Sequence, residues 1–252
     1  MASHRRYKNE IEKNLERILA ILPNSMTEIQ VPIYLFANAN LVTKYFNRFQ
    51  DLEIINLCGV YGIQGLDTFS QYLNKEQNII MFFQNLNLQN LKVIKIENCD
   101  EFLNHPLESI CQKNYNLREL DIPNSLSRTG IGLTILATNC KFVEKLNLDN
   151  CCLSNKNLEI LTTLKYLKIL SLKRTKIADT TIIKIVQNNS TISKINLFNC
   201  KRITKVGVIA LMKEAKDLTF LNIIGTKVNY QKGLLIFLQF GQIKPHFFMY
   251  CK

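Results

Sequence analysis

The residues best placed to do chemistry are cations. Lys176, Lys201 and Lys227 recur at a near-constant interval, and Lys173, Arg174, Arg202 and Lys205 flank them. Cations recurring at a fixed period suit an anionic partner: an acidic protein segment, a phosphopeptide or nucleic acid. Catalysis has no comparable support. His4, His105 and His246 are far apart in the chain, with no acid or nucleophile arranged beside them. Gly59, Gly62 and Gly65 lack both the Lys-Ser/Thr of a phosphate loop and the dinucleotide-binding spacing. The eight Cys contain no CxxC pair for zinc. We therefore expect no enzyme activity, no metal and no cofactor.

The elements that position these cations follow from a repeated template. Counting the first apolar residue as position zero, apolar residues fall at zero, three and five, and Cys or Thr falls at eight. Four matches run Val143–Cys151, Leu167–Thr175, Ile192–Cys200 and Leu218–Thr226, and each begins almost the same distance after the last. Self-similarity at a period of about 25 residues is the signature of a leucine-rich repeat solenoid. Leu117, Leu91 and Leu52 begin earlier matches, and Met26 begins a looser one, which makes eight units. The step from Leu52 to Leu91 is longer than the others by about half a repeat. An insertion is therefore expected near 74–90, where Asn74, Asn78, Asn85, Asn87 and Asn90 cluster. Each template segment reads as a strand and each intervening segment as a helix. Strand–helix units in series give a right-handed α/β solenoid, with parallel strands on the concave face and helices on the convex face.

Taken in order, His4 to Leu22 reads as a helix through Ile11, Leu15, Ile18, Leu19 and Leu22, ended by Pro23. The expected division is an N-terminal helical cap over 1–25, a solenoid of seven or eight repeats over 26–242, and a capping tail over 243–252. Asp179, Thr204 and Asn229 are N-cap types and are expected to open three of the helices, the last closing on Gly241. The tail, with Phe247-Phe248-Met249-Tyr250, reads as a closing edge strand.

The strand period of two points positions two, four and six into the concavity. Position four forms a polar ladder that includes Asn147, Asn196 and Asn222, and position two contributes Lys194 and Phe220. At position six, Asp149 and Lys173 give way to Phe198 and Ile224. Asn147, Lys194, Asn196, Phe198, Phe220 and Asn222 are thus candidate contacts on the concave face. Lys176, Lys201 and Lys227 share position nine, at the loop edge, where they form a column.

Composition bounds the partners. The net charge is +12, and it is unevenly placed: residues 1–139 hold 13 Lys/Arg and 14 Asp/Glu, whereas 140–252 hold 19 and 6. Such asymmetry speaks to partners and not to fold. No apolar run reaches the ~18 residues of a membrane span. The opening residues are polar and charged, so no secretory leader is expected. Cysteines on buried turn positions read as thiols in a reducing, cytoplasmic setting.

Two segments carry a resemblance. Asn139 to Cys151 and Ile195 to Leu211 are similar to the cysteine-containing class of leucine-rich repeats. That class is shared by ribonuclease-inhibitor-like proteins and by F-box/leucine-rich-repeat proteins. The resemblance covers roughly residues 50–230 and implies a solenoid that binds protein partners. The first reading is a non-catalytic interaction module or scaffold for an acidic partner. A second is the substrate-recognition subunit of a ubiquitin ligase, which would bind a Skp-type adaptor through residues 1–50. Leu22-Pro23 suits that module, but Pro32 and the absence of Trp oppose it. Nucleic-acid binding is the third reading, and a cytoskeletal or ciliary scaffold fits the first reading equally.

Overall fold

The computed structural model describes residues 2–32, 39–58, 75–96, 104–124, 130–240 and 248–250. Among these, nine parallel strands form one sheet in chain order. They are β1 (Glu28–Pro32), β2 (Ile54–Cys58), β3 (Val93–Ile96), β4 (Glu119–Asp121), β5 (Lys145–Asn147), β6 (Ile169–Ser171), β7 (Lys194–Asn196), β8 (Phe220–Asn222) and β9 (Phe248–Tyr250). The helices are α1 (Ala2–Ile21), α2 (Ala39–Phe46), α3 (Lys75–Asn85), α4 (Asn104–Lys113) and α5 (Ile131–Asn139). They continue with α6 (Asn155–Leu158, prolonged by a 3₁₀ turn over Glu159–Thr163), α7 (Asp179–Asn188), α8 (Lys205–Glu214) and α9 (Tyr230–Phe240). This is an α/β leucine-rich repeat solenoid.

The register follows the template. Position three aligns Ile29, Ile55, Ile94, Leu120, Leu146, Leu170, Ile195 and Leu221 across successive strands. None of the eight is more than 5% exposed. Burying each such side chain contributes about 1.5–3 kcal/mol, so the column is the spine of the core. The convex helices meet it with residues at helical spacing, such as Ile182, Ile185 and Val186 of α7. At the first end, Leu15 and Leu19 of α1 are buried, and the Tyr45 hydroxyl donates to Glu16 at 3.0 Å. Phe46, Phe49, Phe82 and Phe83 pack edge to face beyond it, with centroids 5.0–6.0 Å apart.

The turn after each strand explains position eight. Position seven is left-handed: Asn124, Asn150, Arg174 and Asn199 have φ of 57–61°, and Gly225 has 76°. The next side chain then points inward and meets a strand carbonyl. The Cys200 thiol donates to Leu172 O at 3.0 Å, and the Thr175 hydroxyl donates to the same oxygen at 2.8 Å. The Cys151 thiol reaches Ile122 O at 3.5 Å, and the Thr226 hydroxyl reaches Ile223 O at 2.8 Å. Cys and Thr alternate here because both are small and carry one donor.

Three expectations need correction. First, most of the extra length in the second repeat does not fall at 74–90. Elsewhere the helix follows its strand closely: Ile169 of β6 leads to Asp179 of α7, and Lys194 of β7 to Lys205 of α8. By contrast, Ile54 of β2 leads only to Lys75 of α3, nearly twice as far on. The extra residues therefore precede α3, in 59–74, and that stretch with Asn74 lies outside the described residues. Asn78 and Asn85 belong to an ordinary convex helix, and Asn87 and Asn90 bind the preceding repeat at Asn47 and Gln50. Second, Asp179 is not the cap of α7. Ala178 holds that place, and the Asp179 carboxylate accepts from the Thr204 N–H at 2.9 Å and the Thr204 hydroxyl at 2.5 Å in the next repeat. Gly207 leaves room for it, since a Cβ there would overlap that carboxylate and force it to move. Thr204 and Asn229 do cap their helices, accepting from the N–H groups of Val206 and Lys232. Third, Asp149 does not face solvent: it is 6% exposed.

At the far end β9 pairs parallel with β8, Phe220 opposite Phe248 and Asn222 opposite Tyr250. The rest of the expected tail, and Gly241, lie outside the described residues.

Candidate partner-binding edge

The basic column is a direct product of the turn. In the sixth repeat Thr175 and Ile177 are buried, so Lys176 between them must point out. The same holds for Lys201 and Arg202 between buried Cys200 and Ile203, and for Lys227 ahead of buried Val228. Backbone bonds fix the loops to one another. Arg174 N–H donates to Phe198 O at 2.8 Å, Asn199 N–H to Ile224 O at 2.7 Å, and Lys227 N–H to Ile203 O at 2.9 Å. Asn155 adds a side-chain clasp, donating to Lys176 O at 3.2 Å and accepting from Ala178 N–H at 2.8 Å. The cations are thus presented from a rigid frame at about the strand spacing of ~4.8 Å.

Their electrostatics, shared among the described residues with Lys156, Lys194, Lys213, Lys216 and Lys232, leave their charge available. Among the described residues, none of Lys176, Lys201, Arg202, Lys205 and Lys227 makes an ion pair. Four of the six acids of the C-terminal half, Glu144, Asp149, Glu159 and Asp179, are used elsewhere. Glu144 binds Lys168 at 2.7 Å, Glu159 binds Lys184 at 2.9 Å, and Asp179 holds Thr204. Glu214 ends α8, about 13.5 Å along the helix from Lys205 at its start. Two of the expected seven cations behave differently. Lys173 is drawn into an ion pair with Asp149 at 3.1 Å, and Arg174 lies over the Phe198 ring at 5.9 Å.

Two of these choices oppose local stability. Arg174 occupies a left-handed position that its counterparts fill with Asn or Gly, at a cost of about 1–2 kcal/mol for a side-chained residue. Lys205 opens α8, where a helix N-terminus disfavours a cation by roughly 0.3–1 kcal/mol.

The concave ladder is more structural than its polarity suggests. Asn147, Asn196 and Asn222 each accept, through Oδ1, the N–H two residues on: Asp149 at 3.0 Å, and Phe198 and Ile224 at 3.1 Å each. Asn147 also donates to Asp121 at 2.7 Å. These side chains close the strand ends. Lys194 is exposed beside them, Phe198 is half-buried, and Phe220 meets Tyr250 with centroids 5.6 Å apart.

Sequence reasoning missed two features. Asp149 is a buried junction that accepts from the Ser171 hydroxyl at 2.6 Å and from Lys173 N–H at 2.8 Å. The other is an exposed aromatic run on the opposite rim, just ahead of the strands: Tyr115, Phe142 and Tyr166. Phe142 and Tyr166 lie 5.6 Å apart, and the Arg118 guanidinium covers Phe142 at 4.9 Å. The signal was an apolar residue recurring one or two places before position zero.

Two of the buried thiols, Cys111 and Cys200, are held away from the nucleophilic thiolate form. A hydrogen bond with Cys140, and then burial, hold Cys111 well above the ordinary thiol value, and burial raises Cys200. Among the described residues, no three His, Cys, Asp or Glu gather closely enough to hold a metal. No described helix is long and apolar enough to cross a membrane.

No protein-family model and no curated protein matches the chain. Among solved structures, an internalin (inlF) from Listeria monocytogenes is similar in fold, at 15% identity and a TM-score of 0.44. The match covers 86% of this chain and 68% of that one. A likeness this distant says nothing about partners.

Proposed function

We propose that this chain is a non-catalytic protein-interaction module that recognises an acidic partner along the strand-end edge of its last three repeats. The observation that carries the reading is the clustering of five cations, Lys176, Lys201, Arg202, Lys205 and Lys227, on one edge with no ion pair among the described residues, whereas Lys92, Arg118, Lys168 and Lys173 are paired. Placing Arg174 and Lys205 against local stability supports it, since such costs collect at functional sites. Rigid presentation lowers the ordering cost of binding, and the excess charge steers an anionic partner. Lys194 and Phe198 of the concave face extend the contact. We read α1 and β9 as the end caps, and a reducing intracellular compartment suits the buried free thiols Cys111, Cys140, Cys151 and Cys200. The ligase reading is disfavoured, because Glu28–Pro32 is a strand of the sheet, not part of a helical docking module.

The test is co-purification from native extract, using wild type and the triple variant Lys176→Glu/Lys201→Glu/Lys227→Glu. An acidic protein held by wild type and lost with the variant is the expected result. The same partners held by both would remove the edge from the reading. A nucleic acid held by wild type instead would favour the third reading.

A further inference from the structure

The edge carries more than charge. Position six of the template is polar or Pro through Pro123, Asp149 and Lys173, then turns apolar at Phe198 and Ile224. That change falls in the same two repeats that complete the lysine column with Lys201 and Lys227. The two apolar residues are neighbours across repeats, since Asn199 N–H donates to Ile224 O at 2.7 Å. Both are half-buried and open to solvent. The left-handed turn at Asn199 and Gly225, followed by an inward residue, brings position six and position nine to one rim. The apolar step and the ammonium row thus share the same strand-end loops, Phe198 three residues before Lys201 and Ile224 three before Lys227, with the Arg174 guanidinium over the Phe198 ring at 5.9 Å.

We infer that this step and row together bind an extended acidic peptide anchored by one bulky apolar side chain. The anchor seats on Phe198 and Ile224, and flanking carboxylates meet Lys176, Lys201 and Lys227. This rests on the acidic-partner reading and specifies its ligand. Three stacked repeats span about 10 Å, which an extended peptide covers in three or four residues. A linear motif therefore suffices. Apolar anchors in a desolvated notch supply most of the energy of such contacts, and the charged surround sets encounter rate and orientation. A nucleic acid is the poorer match: sequence-tolerant strand binding needs a series of aromatic faces, and this step offers one ring and one aliphatic side chain.

The test uses the full chain and two fluorescein-labelled probes, hexaglutamate and the same peptide with its third residue changed to Phe, with labelled oligouridine as a third. Anisotropy at low salt is expected to show the Phe-bearing probe binding about tenfold tighter than hexaglutamate. Phe198→Ser/Ile224→Thr should erase that preference. Phe198→Leu should keep the preference. Lys176→Glu/Lys201→Glu/Lys227→Glu should abolish binding of both peptides. Both mutated apolar side chains are solvent-accessible, and thermal melts check that each variant folds. Equal binding of the two peptides by wild type, or a preference that survives Phe198→Ser/Ile224→Thr, overturns the anchor and leaves the acidic-partner reading standing. Failure of both peptides to bind, with or without oligouridine binding, overturns both.

Discussion

The two rims of the sheet are built from the same residue types and do opposite things with them. On the rim where strands begin, most of the described cations are spent inside the molecule, Lys216 being the exception. Lys92 binds Glu53 at 2.5 Å, and Arg118 and Lys168 share Glu144 at 3.5 and 2.7 Å. Lys141 and Lys165 donate to carbonyls that end α5 and the 3₁₀ turn, at 2.8 and 3.2 Å, and Lys113 does the same for α3. On the rim where strands end, Lys176, Lys201, Arg202, Lys205 and Lys227 have no such partners among the described residues. The difference teaches that net charge is a poor guide to a binding surface. A cation advertises a partner only when the fold has left it without one.

The comparison can be broken in several ways. The largest effect is expected from reversing Lys176, Lys201 and Lys227 to Glu, which should weaken acidic-peptide binding at least about 30-fold and flatten its salt dependence. Anisotropy across a salt series checks it. Next comes Asp149→Ala, which strips the Ser171 hydroxyl and Lys173 N–H of their acceptor in a buried place. A loss of about 1–3 kcal/mol in urea unfolding is expected. The same change frees Lys173, so binding to an acidic peptide should rise while stability falls. A repeat array can unfold in steps, so the affected repeats should lose hydrogen-exchange protection first.

Arg174→Gly should work in the reverse sense. It relieves a left-handed side chain and is expected to stabilise the chain by up to about 1 kcal/mol, while weakening acidic-peptide binding a few-fold. A variant that loses stability would show that φ of 57° at Arg174 carries no cost there. The smallest effect concerns pH on the paired rim. The hydrogen bond from Lys168, with the added charge of Arg118 and Lys145, holds the Glu144 carboxyl below its usual value. A depressed folded-state value means the stabilisation is complete above the unfolded value. It is lost as pH falls through the folded one, below about pH 4.5. Glu144→Gln should therefore shallow the acid limb of the stability curve and leave neutral-pH binding at the other rim unchanged.

Much of this was legible in the sequence, because a repeat states its rule many times. The position-three column, the inward Cys or Thr, and the outward Lys after it all follow from one template and the alternation of a strand. What was hidden depended on contacts between repeats. Asp149 reads as another polar residue at position six. Its burial comes from Ser171 and Lys173 in the next repeat, and no pattern within one repeat encodes that. Asp179 looked like a cap because its type and place suit one, yet Thr204, one repeat later, offers two donors and takes the carboxylate. The extra length of the second repeat was expected over 74–90, a span that α3 itself largely fills, because an apolar period cannot say where between two strands a helix begins. The pairing on the first rim could have been found: Glu144 and Lys168 share position one in adjacent repeats, as do Glu53 and Lys92.

The sharpest test compares two variants of equal net charge. Lys176→Gln/Lys201→Gln/Lys227→Gln and Lys92→Gln/Arg118→Gln/Lys168→Gln each remove three positive charges from a chain of net charge +12. Affinity for the Phe-bearing acidic peptide should be measured for both at one ionic strength. If availability and not charge defines the site, the first variant should lose at least about tenfold and the second less than about twofold. Equal losses would mean that only the overall charge of the molecule draws the peptide, and the strand-end edge would have no claim to be its site.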